Sequence, residues 1–347
     1  MQRKSLKLGI HSKDKVLLYI TYLKILMNIM GRNPFIKQIE IFDLFAGMGK
    51  DSYGNKGSAL RAAEEIDSIS KDQPSLKGRF QLKLNEINKS NHESLKQHLL
   101  KFSDFTEIEN QDANIYVSNL NIKKDNFNFF FLDPFGISEL TFSSLSKILK
   151  LHKSEIMFFV PISFVKRFKD SERFTSFLLQ LGINTDDLNT KQSALLYSKK
   201  IAEALPKISR KKYCFFRNFK NLENSNQYCL FFLTDNILGA ERFNEVNVKF
   251  KTNSELPDFT LLGGGNNKFE SELRALNREF SNLEAYEIGV MCGLWGSEIK
   301  KHMERLIKDG KLLATKLDSS GGNIISLYVN YDNFKKQNMK ISFEFRN

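Results

Sequence analysis

The sequence predicts an α/β protein on a mostly parallel sheet that closes in an antiparallel hairpin, followed by a small helical domain. Three observations predict it. Short apolar runs alternate with helix-like stretches through the first half of the chain. Two aromatic runs then follow with only a polar loop between them, and the composition shifts after Phe250.

Strands are expected at residues 39–44, 79–86, 114–117, 127–132 and 155–160, each rich in Ile, Phe, Leu or Val. Such runs suit strands buried on both faces. Helices are expected between them at 58–70, 90–102, 141–151 and 172–181. Ahead of the first strand, Leu17, Ile20, Leu23, Ile25, Leu26 and Ile29 recur at helical spacing within 16–30, and Ser12 is the expected N-cap. Lys24 interrupts this stretch, no small-residue cleavage site follows, and it is short for a bilayer span. It therefore reads as an amphipathic helix of a soluble protein.

The runs "YCFFRNF" (213–219) and "YCLFFLTD" (228–235), joined by "KNLENSNQ", are expected to form a hairpin. A parallel sheet that ends this way matches the Rossmann-like, seven-stranded sheet of class I S-adenosylmethionine (SAM) methyltransferases, and differs from a plain dinucleotide-binding domain. Beyond it, "KTNSELPDFTLLGGGNNK" reads as a linker. Helices are then expected at 269–283, 286–292 and 297–309, the last closed by Gly310. "KLLATKL", the turn "DSSGGN" and "IISLYVN" follow as a hairpin, which completes a winged-helix-like pattern. The expected domains are an N-terminal helical extension packing on the catalytic domain (1–38), a Rossmann-like domain (39–250), a linker (251–267) and a winged-helix-like domain (268–347).

A formal net charge of +12, spread along 347 residues, points to nucleic acid as a partner. The three cysteines, Cys214, Cys229 and Cys292, have neither metal-ligand spacing nor a disulfide framework, as suits a reducing cytoplasm. The five histidines are dispersed, so no metal site is expected.

Ligands of open α/β sheets bind beyond the carboxyl ends of the strands. The first strand delivers "FDLFAGMG", with Asp43 at its end and then Phe45, Ala46, Gly47 and Gly49. Small residues let a backbone approach a ligand, and Asp43 can receive an ammonium group or orient the loop amides. The second strand ends on Glu86, placed to accept the two hydroxyls of a ribose. Ser118 and Asn119 are the expected adenine contacts after the third. The fourth runs "NFFFLDPFG" into Asp133, Pro134, Phe135 and Gly136. A carboxylate at the end of such an apolar run needs hydrogen-bonding work. Asp133 and a neighbouring carbonyl can accept hydrogen bonds from an exocyclic amino group, Pro134 fixes the chain, and Phe135 offers a stacking face. Lys166, Arg167 and Lys169 after the fifth strand, and Lys300, Lys301 and Arg305 on the 297–309 helix, are candidate phosphate contacts. A cytosine-C5 methyltransferase would need a Pro-Cys nucleophile, which is missing. A P-loop would need a hydroxyl residue where Asp51 stands.

Together "HSKDKVLLYITYLKILMNI", "IFDLFAGMG", "GNKGSAL", "LNEIN", "FFLDPFG" and "VPISFVKRF" resemble the three-Cys-motif partner (TcmP) proteins, bacterial chains with a SAM-methyltransferase-like domain. The resemblance spans roughly residues 11–170, and "SEIKKHMERLIKDGKLL" is more loosely similar to the family's C-terminal end. It implies SAM at Asp43, Phe45, Ala46, Gly47 and Gly49, ribose on Glu86, a reaction-centre loop at 133–136, and a protein partner carrying a three-cysteine motif. A similar "DPFG" in tRNA guanine-N2 dimethyltransferases implies an exocyclic amine as the target. The family has proline where Met48 and Ala59 stand, and often Asp in place of Asn119. The expected function is SAM-dependent N-methylation of a nucleobase in DNA or RNA. The alternatives are a methyltransferase-like binding or assembly subunit without catalysis, and methylation of a small-molecule or protein amine.

Overall fold

Three strands buried along their whole length, β1 (Ile39–Asp43), β4 (Phe127–Leu132) and β5 (Ser154–Val160), form the centre of the first unit. The computed structural model describes residues 10–134, 136, 139–188, 193–220, 226–250, 265–317 and 326–346. The chain divides into two units, Met1–Asp235 with Phe250–Asp258, and Asn236–Lys249 with Phe259–Asn347.

In the first unit, α1 (Ile10–Met30) precedes β1, and α2 (Ser58–Asp72) leads to β2 (Phe80–Asn85). Then come α3 (Lys89–Leu99), β3 (Thr106–Glu109), α4 (Ala113–Ser118), β4 and α5 (Phe142–Leu149). After β5 the helices α6 (Ile162–Arg167), α7 (Glu172–Gln180) and α8 (Ala194–Ile208) lead to β6 (Tyr213–Lys220) and β7 (Gln227–Thr234). The sheet order is β3-β2-β1-β4-β5-β7-β6, parallel except where β7 runs against β5 and β6. This is the seven-stranded methyltransferase-type sheet with its closing hairpin.

Alternation along β4 explains how α1 is held. Phe129 and Phe131 meet Tyr19, whose ring lies 4.1 Å from that of Phe131. Phe130 faces the other way and stacks on Phe42 at 4.5 Å. Tyr22 also touches Phe129 and Phe232, and its hydroxyl donates to Glu155 Oε2 at 2.6 Å. Thr234 Oγ1 donates to the other Glu155 oxygen at 2.9 Å.

Several expectations are corrected. The stretch expected as the third strand, 114–117, is helix α4, because Asp112 caps it by accepting from the Asn114 amide at 2.8 Å. The strand is β3, an edge strand with Glu107 and Glu109 exposed, so it lacks the apolar run of a central strand. Ser12 lies within the first turn of α1, which begins at Ile10. Helices α6 and α8 add to the helices expected from the sequence.

The second unit comprises α9 (Ile237–Lys249), α10 (Gly265–Ala275), β8 (Phe280–Ser281), α11 (Asn282–Met291), α12 (Gly296–Lys308), β9 (Leu312–Lys316), α13 (Tyr331–Lys335) and β10 (Ile341–Phe345). The helix α9 thus belongs with this unit instead of closing a domain at residue 250. The helix expected at 269–283 is broken in two. Asn277 turns the chain with φ 49°, and Ser281 and Glu284 start α11 as a reciprocal capping box. The sheet order is β8-β10-β9, so "KLLATKL" pairs with the C-terminal strand, while residues 326–329 form no strand. The turn "DSSGGN" and residues 251–264 of the expected linker lie outside the described residues.

Tyr22→Phe leaves one oxygen of buried Glu155 without this donor. The expected loss is about 1–3 kcal/mol of unfolding free energy, measured by urea denaturation.

Candidate active site

The carboxyl ends of β1 and β2 are tied together by backbone amides. Ala46 N donates to the Asn85 carbonyl at 3.1 Å, and Gly47 N donates to Glu86 Oε2 at 2.9 Å. Glu86 is buried, and its other oxygen accepts from Asn88 N at 2.8 Å. Gly47 has φ +66°, and a side chain built there would meet nothing within 4 Å, so its backbone faces open space. Gly49, at φ +82°, passes close to His98, whose Nδ1 donates to the Met48 carbonyl at 2.9 Å.

Asp43 closes β1 with no exposed surface. It accepts from Ser58 Oγ at 2.6 Å and from Phe45 N at 3.2 Å. Burial outweighs these donors and pushes its carboxyl up from 3.8 to about 7, with Asp133 and Glu86 adding to the rise. Beside it, the buried Tyr19 hydroxyl has no hydrogen-bond partner among the described residues.

Asp133 follows β4 directly. Both of its oxygens are held by Lys15 Nζ of α1, at 2.7 and 2.8 Å. The ammonium also lies 4.8 Å from the Phe159 ring centroid and 5.6 Å from that of Tyr228. Pro134 is buried, and the Gly136 carbonyl accepts from Glu139 N at 3.0 Å. Phe135 lies outside the described residues.

The structure brings Asp43, Phe45, Ala46, Gly47, Gly49, Glu86 and Asp133 to one end of the sheet. It does not bring Ser118 and Asn119 there as the end of a strand. They are exposed residues closing α4, and Ser118 Oγ donates to the Ile115 carbonyl at 2.8 Å. The carboxyl end of β3 presents Asn110, Gln111 and Asp112 instead. Asn110 Nδ2 donates to the Glu86 carbonyl at 2.6 Å, and Gln111 N to Asn85 Oδ1 at 3.3 Å. The missed signal was Asp112 standing as an N-cap before "ANIYVS". Lys15 carries no local signal in the sequence, because its partner is 118 residues away.

Of the candidate phosphate contacts, Lys166 and Arg167 end α6, and Arg167 lies 5.7 and 6.0 Å from the Phe164 and Phe168 rings. Lys169 pairs with Asp170. On α12, Lys300 pairs with Glu304 at 3.7 Å, Arg305 reaches His302 Nδ1 at 3.1 Å, and Lys301 is exposed. Among the described residues no group of His, Cys, Asp and Glu is placed to hold a metal, and no helix is long and apolar enough to cross a membrane.

No protein-family model matches the chain, and no curated protein matches it. Solved structures with a similar fold include the O-methyltransferase TomG from Streptomyces achromogenes, in complex with SAM, at 12% identity and TM-score 0.36 over 62% of this chain and 79% of that one. The DszA carbon methyltransferase is 13% identical with TM-score 0.39, over 63% of this chain and 53% of that one. The precorrin-6y C5,15-methyltransferase from Geobacter metallireducens is 11% identical with TM-score 0.31, over 61% and 87%. At these identities and TM-scores the likeness carries no inference about what this chain does.

The folded chain holds the Asp43 proton more tightly than the unfolded chain, so this residue's contribution to stability falls as pH rises from about 4 to about 7. Asp43→Asn removes that loss. The variant is expected to be more stable than the wild type at about pH 8 by on the order of 1–4 kcal/mol, with the advantage shrinking toward about pH 4 in urea titrations. Some slope remains in the variant, because burial also pushes Glu155 up to about 7.

Proposed function

We propose that the chain is a SAM-dependent methyltransferase acting on the exocyclic amino nitrogen of a nucleobase in DNA or RNA. The observation that carries this reading is the arrangement at the sheet's carboxyl end. An open glycine turn is clamped to buried Glu86 beside buried Asp43, and Asp133 stands at the end of the neighbouring strand. The donor set fits SAM. Asp43 is a buried carboxyl, held protonated up to about 7 by burial, whose charged form a cofactor's ammonium nearby would favour, Glu86 keeps lone pairs beyond the two amides it accepts, and Gly47 leaves room for close approach. When bound, SAM supplies an electrophilic methyl group on a sulfonium.

Asp133 does the orienting. Its outward lone pairs accept the N–H donors of the acceptor, which aims the nitrogen lone pair at the methyl carbon. With SAM bound, its methyl group would pass from sulfur to that nitrogen, the sulfur–carbon pair staying on sulfur, and the surplus proton on nitrogen would leave to solvent at the partly exposed Asp133.

A nucleic-acid substrate is supported by the net charge of +12 and by the second unit. Its order α10-β8-α11-α12-β9-α13-β10, with the sheet ordered β8-β10-β9, supports a winged-helix-like reading in which α12 would be the recognition element. A partner protein with a three-cysteine motif belongs to the same proposal through the TcmP resemblance.

Asp133→Ala is expected to lower methyl transfer by on the order of 100-fold or more while SAM affinity stays within a few-fold. Wild-type rates in that variant would remove Asp133 from the mechanism, and a wild-type chain that binds no SAM in calorimetry would refute the reading. Alanine at Lys300, Lys301 and Arg305 together should reduce the slope of log affinity against log salt for duplex DNA by up to about 3. An unchanged slope would take α12 out of the interface.

A further inference from the structure

We propose that Lys15 is a positioning and specificity residue for the acceptor. It holds Asp133 from beneath and makes the subsite select a neutral amino group over a cationic ammonium. The inference rests on the methyltransferase reading of Asp133 given above.

The geometry is that of a built ammonium site. Lys15 Nζ donates to both Asp133 oxygens at 2.8 and 2.7 Å, and its remaining surroundings include the rings of Phe159 and Tyr228. A buried ammonium is costly without a carboxylate and π faces around it. Here all of these come from the sheet, while the lysine comes from α1, 118 residues earlier. Tyr19, one turn further along α1, stacks on Phe131, which ties the helix carrying Lys15 to the sheet.

The order of exposure says which side the lysine occupies. The Lys15 side chain is 8% exposed and that of Asp133 is 28% exposed. A lysine that entered from solvent to block the site would be the more exposed member of the pair. Lys15 is instead the inner one, and it fixes the carboxylate while the outer lone pairs stay open. An ionised carboxylate has about four acceptor positions, and the lysine takes one on each oxygen.

Charge then decides what can bind on the open side. The ion pair is close to neutral, so a second ammonium drawn toward Asp133 also meets the positive charge of Lys15 a few ångströms behind it. A neutral aromatic amine brings N–H donors without that repulsion. It also keeps the nitrogen lone pair that methyl transfer requires, which a protonated alkylamine lacks.

The test uses the full chain as wild type, Lys15→Met and Lys15→Arg. Each is measured for thermal unfolding, SAM affinity, and steady-state transfer to a single-stranded oligonucleotide carrying adenine, cytosine and guanine. Lys15→Met is expected to lose on the order of 100-fold in kcat, with KM for SAM within about twofold, and Lys15→Arg to recover most of that loss. A Lys15→Met chain with wild-type kcat, or a folded Lys15→Arg chain as impaired as Lys15→Met, would overturn the proposal. A binding arm stands apart from activity. In Lys15→Ala, n-butylammonium is expected to bind the vacated pocket, and to bind neither the wild type nor Lys15→Ala/Asp133→Asn. If the wild type methylates no amine at all, the methyltransferase reading fails, and butylammonium binding still decides whether this pocket holds an ammonium. A folded Lys15→Ala chain that binds none would refute it.

Discussion

Carboxylates gathered at one end of a sheet repel one another, and more strongly where water is excluded. Asp43, Glu86 and Asp133 converge at the carboxyl ends of β1, β2 and β4, and each is kept there by donors the fold supplies. Glu86 takes two backbone amides, Asp43 a serine hydroxyl and an amide, and Asp133 a buried ammonium. Only the last is a full opposite charge. It arrives on α1, so the N-terminal helix is part of the site's electrostatics as well as part of its wall.

Not every carboxylate is equally well compensated. Asp43 keeps a raised affinity for its proton, because its charged form is held in the interior at a cost. A cationic group binding beside it relieves that cost, and the relief adds to the ligand's affinity. The same logic reverses at Asp133, where the counter-ion is already built in. One end of the site is thus prepared for a positive charge and the other for a neutral donor. That division suits a cofactor with an ammonium group and an acceptor that must keep its lone pair.

Much of this was legible in the sequence, for physical reasons that differ by element. Strands β1, β4 and β5 are buried on both faces, so they must be continuous apolar runs and announce themselves. The antiparallel pair β6 and β7 is two aromatic runs with only a few polar residues between them in the sequence, and reads equally well. Edge strand β3 carries Glu107 and Glu109, and its signal was outweighed by the more apolar turn of α4. Strand β8 is two residues long, too short for any periodicity, although the Ser281-x-x-Glu284 spacing beside it marked a helix start. Lys15 was invisible for another reason. A lysine near the start of a helix normally stays solvated, and only the tertiary fold puts a carboxylate beside it. Asp43, Gly47, Glu86 and Asp133 could be found because strand-end position is readable from order alone, whereas the charge that balances Asp133 could not.

Methyl transfer to an exocyclic base nitrogen leaves its product in the polymer, where nucleoside analysis reads it directly. The full chain is incubated with tritiated SAM and separate pools of DNA and RNA, and the polymers are digested to nucleosides and separated. Tritium is expected in an N-methylated nucleoside from one of the pools. Tritium in a C-methylated or O-methylated nucleoside, or in neither pool while SAM is bound, would contradict it.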